Sequence, residues 1–231
     1  MPVFSLPSEP LFPPVSHAEE DGLLAVGGDL CPVRLLTAYA SGIFPWYTEG
    51  RDPILWWSPD PRMVLFTEEL RISKSMRQVF KKGTFEITFD RAFDEVVRSC
   101  SKAPRRGQQG TWLGMHMQRA YAELHRLGYA HSAEAWQAGR LVGGLYGVAI
   151  GRVFCGESMF AHESNASKAA FITLLEALKQ KGFGLIDCQV HTDHLESLGA
   201  REIPRVDFLE LLTAGMAQPG RVGPWAEWLA E

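Results

Sequence analysis

The stretch LIDCQV, residues 185–190, decides how the second half of this chain is read. Leu185, Ile186, Cys188 and Val190 suit the apolar interior of a buried strand, yet Asp187 and Gln189 interrupt them. Two positions apart, they point to the same face of that strand. A buried carboxylate is costly unless it is paired or bonded. The pair therefore marks a structural network or a site.

Working outward, NASKAAFITLLEALKQK (165–181) reads as a helix, started by Ser164 or Asn165 and ended by Gly182. Before it, AHSAEAWQ (130–137), LVGGLYGVAI (141–150) and VFCGESMF (153–160) read as strands, the first two joined by a tight turn at Ala138-Gly139. Further upstream, TFEITFD (84–90) alternates as a half-buried strand, and helices follow over 91–100 and 115–127 around the basic loop SKAPRRGQQG. A last helix covers VDFLELLTAG (206–215). The order is strand, two helices, three strands, helix, strand, helix. That is the order of acetyltransferase-like (GNAT) folds, in which a mixed sheet splays between its fourth and fifth strands and the reaction centre sits in the gap. Here those strands are 153–160 and 185–190.

Residues 1–62 differ in texture. FPPVSHAEEDGLLAVGGDL (12–30), one short helix at PVRLLTAYASG (32–42), then IFPWY and ILWWSPDPR are rich in Pro, Gly and Trp. Such punctuation predicts a small turn-rich α/β lobe packed on its aromatics, with Trp56 and Trp57 among them. The expected organisation is α+β: this lobe over 1–62, followed by a GNAT-like domain with a mixed sheet over 63–231.

A chain of 231 residues, 46% hydrophobic, can bury a substantial core. No apolar run approaches the ~18–20 residues that span a bilayer, and MPVFSLPSEP lacks the layout of a signal peptide. A soluble, cytoplasmic protein without a membrane partner is expected. Cys31, Cys100, Cys155 and Cys188 are scattered and predict reduced thiols. HTDH (191–194) resembles a metal pair but lacks further ligands at suitable spacing, so no metal is expected.

Charge is unevenly placed. From Arg71 to Arg106 ten basic residues face four acidic ones, a net +6, whereas the rest of the chain carries −10. A helix over KSMRQVFKK (74–82), capped by Ser73, gathers Lys74, Arg77, Lys81 and Lys82 in one sector and Met76, Val79 and Phe80 opposite. A cationic ridge of this kind is either a solvated face or a phosphate-binding surface. Trp46 and Trp112 stand in loops before and after it, positions suited to stacking on an unpaired base.

Glu157 lies within the apolar strand FCGESMF; alternation puts it with Val153, Cys155 and Met159, opposite Phe154, Gly156 and Phe160. Two acids on adjacent buried strands, Glu157 and Asp187, favour a site. GESMF is not the G-x-S-x-G hydrolase elbow. The turn AHESNASK lacks the glycine-rich loop that grips coenzyme A, which argues against an acyl-CoA donor. A non-catalytic RNA-binding module would leave Glu157, Asp187 and Gln189 unexplained.

GLLAVGGDL, GIFPWY, DPILWWSPDPR, QGTWL, LVGGLYGVAIG, FCGESMF, NASK and LIDCQV with HLESLGAREIPR, in this order over roughly residues 20–208, closely resemble the leucyl/phenylalanyl-tRNA-protein transferases. The resemblance implies an aminoacyltransferase that moves Leu or Phe, with Met a third candidate, from Leu-tRNA or Phe-tRNA to the N-terminal Arg or Lys of a protein or peptide, marking it for degradation. It implies no cofactor, and a monomer is the default expectation. By the same resemblance Trp46 and Trp112 hold the terminal adenosine, and Lys74, Arg77, Lys81 and Lys82 follow the acceptor stem. Leu145, Phe154, Met159 and Leu174 line the pocket for the donor side chain. Asp187 and Gln189 match the catalytic pair, and Glu157 the acid that fixes an amino group. On this reading Asp187 draws off the proton of the attacking amine, relayed by Gln189.

Overall fold

Residues 130–161 build the centre of the main sheet, because tight turns return the chain directly on itself. In the computed structural model, which describes residues 3–103 and 113–229, Ala138 and Gly139 both adopt positive φ (50° and 72°) between two antiparallel strands. This is the backbone of a two-residue primed hairpin turn. Trp112, Arg105 and Arg106 lie outside the described residues.

The first part of the chain contributes β1 (Phe4–Leu6), β2 (Leu23–Gly27), α1 (Pro32–Ala40), β3 (Phe44–Pro45) and β4 (Leu55–Trp57). These strands form a four-stranded sheet in the order β1-β2-β4-β3, so the expected turn-rich lobe carries more regular structure than its one predicted helix. After it come β5 (Arg62–Phe66), α2 (Lys74–Lys81), β6 (Glu86–Phe89), α3 (Phe93–Lys102) and α4 (Met115–Arg126). Then follow β7 (Ala130–Gln137), β8 (Arg140–Ile150), β9 (Val153–Ala161), α5 (Ala166–Gln180) and β10 (Leu185–Gln189). The chain continues through α6 (Asp193–Ser197), β11 (Arg201–Ile203) and α7 (Arg205–Met216).

The second sheet has seven strands in the order β11-β5-β10-β9-β8-β7-β6. It is mixed: β10 runs parallel to β9 and antiparallel to β5. The expected string is present in β6, α3, α4, β7, β8, β9, α5, β10 and α7, with β5, α6 and β11 added. Strand β5 escapes a search for alternation because both of its faces are covered: Arg62, Met63, Val64 and Leu65 are all buried.

Two apolar cores flank this sheet. On one face, α1, α3, α4 and α7 pack with the first sheet around Tyr39, Trp56, Val96, Tyr121 and Phe208. On the other, α5 lays Ala169, Ala170, Leu174 and Leu178 against the strands, joined by Met76 of α2 and by Trp225 near the C-terminus. Each fully buried Leu on α5 contributes about 1.5–3 kcal/mol.

Local expectations are met unevenly. Ser73 caps α2, its Oγ accepting from Met76 N at 3.2 Å. Lys74, Arg77, Lys81 and Lys82 are exposed and Met76 is buried, but Phe80, expected on the packed side, is 37% exposed near the helix end. Asn165 occupies the N-cap of α5 in left-handed conformation, φ 70°, without a side-chain capping bond. All four cysteines are free thiols, three of them buried.

Candidate active site

Two irregularities, one on each strand, open the sheet between β9 and β10. The parallel pairing covers three positions, Leu185 with Val153, Ile186 with Phe154 and Asp187 with Cys155, and then stops, although β9 continues to Ala161. On β9 the register against β8 jumps from Gly147–Gly156 to Tyr146–Ser158, leaving Glu157 as the unpaired residue of a bulge. On β10 the register against β5 shifts between Asp187 and Gln189, and Gln189 takes φ 65°. A non-glycine residue at positive φ costs on the order of 1–3 kcal/mol and persists only where its surroundings hold it.

Between the diverging strands lies a cavity of about 590 Å³. Its walls are largely apolar and aromatic, including Trp46, Leu145, Met159 and Phe171, and its polar groups include Glu157 and Gln189. Gln189 Nε2 donates to Glu157 Oε1 at 2.7 Å, and the Tyr121 hydroxyl donates to Glu157 Oε2 at 2.5 Å. The Tyr39 and Tyr121 hydroxyls share a further bond of 2.7 Å. Helix α1 supplies Tyr39 and α4 supplies Tyr121, so elements of both sheets' layers converge on one carboxyl group.

The electrostatics of that group follow from its surroundings. Burial pushes Glu157 up, bonds from Tyr121, Tyr39 and Gln189 pull it down, and the negative charge of Asp187 raises it again; it titrates at about 7. Tyr39 and Tyr121 are pushed well above the ordinary phenol value by burial and by the adjacent Glu157. Glu157 thus exchanges a proton near neutral pH at the wall of a largely apolar cavity.

Asp187 is placed differently from the expectation. It is 1% exposed and does not line the cavity. Arg62 takes both its oxygens: Nε donates to Oδ1 at 2.8 Å and Nη2 to Oδ2 at 2.7 Å. The backbone N–H of Gln189 also donates to Oδ1, at 3.0 Å. Protonating this carboxylate would strand a buried guanidinium, and breaking such a pair from one side costs about 3–5 kcal/mol. The neighbouring strand β5 is the cause, since it brings Arg62 to the face on which alternation had put Asp187 beside the cavity.

The remaining predicted residues divide. Trp46, Leu145 and Met159 line the cavity; Phe154 and Leu174 do not, being 0% and 1% exposed in the core beneath α5. The bulge at Glu157 reverses the alternation: Met159 packs in the same core as Phe154, whereas Val153, Cys155 and Phe160 belong to the other. Phe171, Ile186, Cys188 and Leu195 supply wall that the sequence reading did not assign. Of HTDH, Thr192 caps α6 by accepting from Leu195 N, His191 bonds Glu196, and His194 reaches the cavity wall. Sequence reasoning missed Arg62, Tyr39 and Tyr121. For Arg62 there was a signal, a cation opening the uninterrupted apolar run MVLF after SPDP.

Comparison with known proteins gives this geometry a context. The profile of the leucyl/phenylalanyl-tRNA protein transferases matches residues 64–213, and that of their N-terminal domain matches residues 28–60. The chain belongs to this family. A leucyl/phenylalanyl-tRNA–protein transferase of Syntrophobacter fumaroxidans is 59% identical over 218 residues, covering 94% of this chain and 93% of that one. One from Syntrophus aciditrophicus is 56% identical over 226 residues, covering 98% and 94%. One from Anaeromyxobacter dehalogenans is 53% identical over 225 residues, covering 97% and 96%. The two family profiles meet between residues 60 and 64, next to Arg62, and the first sheet ends at Trp57 while the second begins at Arg62. Among the described residues no helix of this family member is long and apolar enough to cross a membrane.

Proposed function

We propose that this chain transfers leucine or phenylalanine from its aminoacyl-tRNA to the N-terminal Arg or Lys of an acceptor protein. The observation that carries the reading is the meeting of Glu157 and Gln189 at the wall of an apolar cavity between diverging parallel strands. The apolar walls, Leu145, Met159 and Phe171 among them, take the donor side chain. They exclude β-branched Ile and Val, whose extra Cβ substituent crowds the ester. Trp46 on the cavity wall stacks on the terminal adenosine, with Trp112, outside the described residues, as its expected partner. Arg or Lys at the acceptor's first position is what the sequence resemblance implies, and it is the part of the proposal that the peptide experiment below addresses.

An aminoacyl ester is already activated, so the chemistry consists of placing an amine on its carbonyl carbon and removing the amine's two surplus protons. A free α-amine titrates near 7.7–8.0 and is mostly protonated at pH 7, by about five to ten to one. Glu157, titrating at about 7, is matched to accept that proton. Glu157 gives that first proton up to solvent; the neutral nitrogen then forms the new C–N bond and loses a second proton, which passes by way of Glu157 to the 3′-oxygen as the C–O bond to that oxygen breaks. Gln189 holds Glu157 and offers its carboxamide to the amine, while Asp187 acts from behind it. Holding the two large substrates in register supplies much of the rate. Use of charged tRNA puts the reaction in the cytoplasm.

Incubation with Leu-tRNA bearing labelled leucine tests the reading. Label should move to a peptide beginning with Arg and not to one beginning with Glu; transfer to neither overturns it. The exposed ridge of α2 lies along the acceptor stem on this reading. Reversing the charge of Lys81 and Lys82 together should weaken tRNA binding and reduce the slope of log affinity against log salt by about 1.8, at ~0.9 per duplex phosphate contact. Titrations at several salt concentrations check this, and an unchanged slope removes the ridge from the interface.

A further inference from the structure

We propose that Arg62 is a positioning residue of the transfer site, setting the backbone of Gln189 through Asp187 and the placement of Glu157 through Gln189. The inference rests on the proposed reaction and deepens it.

Arg62 is 1% exposed, and every nitrogen of its guanidinium is engaged. Nε and Nη2 hold Asp187, and Nη1 donates to the Gly42 carbonyl at 3.1 Å. The ring of Phe44 lies 4.9 Å from its central carbon and that of Phe208 lies 4.6 Å away. The group therefore ties three separate parts of the chain to strand β5: the turn before β3, strand β10 and helix α7. A planar five-donor fork can do this; a lysine ammonium cannot reproduce the paired geometry.

The alternative is that the pair serves stability alone. Burying two charges is a poor route to stability, since well-packed apolar residues of similar volume often do as well or better. What an apolar pair cannot supply is the third bond, from Gln189 N–H to Asp187 Oδ1. That bond holds a residue at φ 65°, a conformation that side-chain-bearing residues seldom adopt. In this conformation the Gln189 side chain turns towards β9 and donates to Glu157. The chain of contacts runs Arg62, Asp187, Gln189, Glu157, from solid core to cavity wall. Phe44, against one side of the guanidinium, lines the same cavity.

Three variants of the full chain test this: Arg62→Lys, Arg62→Met, and the double variant Arg62→Met with Asp187→Leu, in which no buried charge is stranded. Thermal unfolding, kcat and KM for Leu-tRNA, and the Glu157 carboxyl titration by carbon NMR are measured on each. Arg62→Lys should keep KM within about threefold and lose about 10–100-fold in kcat, as displacement of a positioned group does. Because the Gln189 bond pulls Glu157 down, its loss should move the Glu157 titration, and the acid limb of kcat, to higher pH. The double variant should fold stably yet remain as slow as Arg62→Met; because it also loses the Asp187 charge that raises Glu157, kcat is its readout. Recovery of wild-type kcat in the double variant, or an unmoved titration in Arg62→Lys, overturns the proposal. The NMR readout needs no turnover, so a wild-type chain inactive with Leu-tRNA would count against the proposed reaction and leave the positioning test intact.

Discussion

Glu157→Gln should lower kcat by about 10²–10⁴-fold, the range in which a positioned acid or base contributes, and should erase the rise of rate through pH 7. The substitution keeps the shape of the side chain and removes its titration. In the wild-type protein the base form gains population as pH rises through about 7; in the variant, only the acceptor amine's titration near 7.7–8.0 remains. The same change carries a stability signature of fixed sign. Glu157 titrates at about 7 in the folded protein against an ordinary 4.5. Its folded-state value is raised, so its contribution is complete below pH 4.5 and declines up to about 7, where the unfolded chain has ionised and the folded chain has not. At ~1.4 kcal/mol per unit the loss is on the order of 3 kcal/mol. Between pH 4.5 and 8 the stability of Glu157→Gln relative to wild type should therefore move in the variant's favour by about that amount. Denaturant titrations at the two pH values, beside a pH–rate profile, check both halves. An unchanged acid limb in the variant would remove Glu157 from the proton path.

Gly156→Phe should leave a folded protein with kcat/KM reduced by about 10²-fold or more, the effect appearing chiefly in KM. Gly156 borders the cavity, and a Cβ added there meets only the Asp187 carbonyl oxygen, at 3.8 Å. The ring then has open space to enter, between the two strands where the proposed reaction puts the ester. Its cross-strand partner gives the control. A Cβ at Gly147 would overlap the Cys155 carbonyl oxygen, which the sheet prevents from moving. Gly147→Ala should lower stability by about 1–3 kcal/mol or more through overpacking, with its midpoint falling in a thermal melt. Full activity in Gly156→Phe would put the substrate elsewhere.

These outcomes draw on features of unequal legibility. Most helices and most strands of the second sheet follow from periodicity and turn residues, since each of those elements buries one face or lies between strong breakers. The exposed cations of α2 follow from the helical wheel, which needs no tertiary information. The site's polar members, Glu157, Asp187 and Gln189, were visible because charged and amide side chains are costly in apolar strands. Their roles were not. Alternation assigns faces correctly only while the ladder is regular, and bulges at Glu157 and before Gln189 break it where it matters. Phe154 and Leu174 were expected in the pocket from the resemblance and lie beneath it.

By itself the sequence determined the α+β order, the cationic helix, the absence of a glycine-rich coenzyme A loop and the identity of the three polar residues that belong together. Those are local properties, set by propensity, spacing and the cost of burying charge. Tertiary structure alone decided that Asp187 faces Arg62 while Glu157 and Gln189 face the cavity, and that Tyr39 and Tyr121 complete the carboxyl group's bonds. The reason is that a side chain's partners come from strands and helices up to 125 residues away along the chain, and a one-residue register shift on one strand redirects which of them it meets.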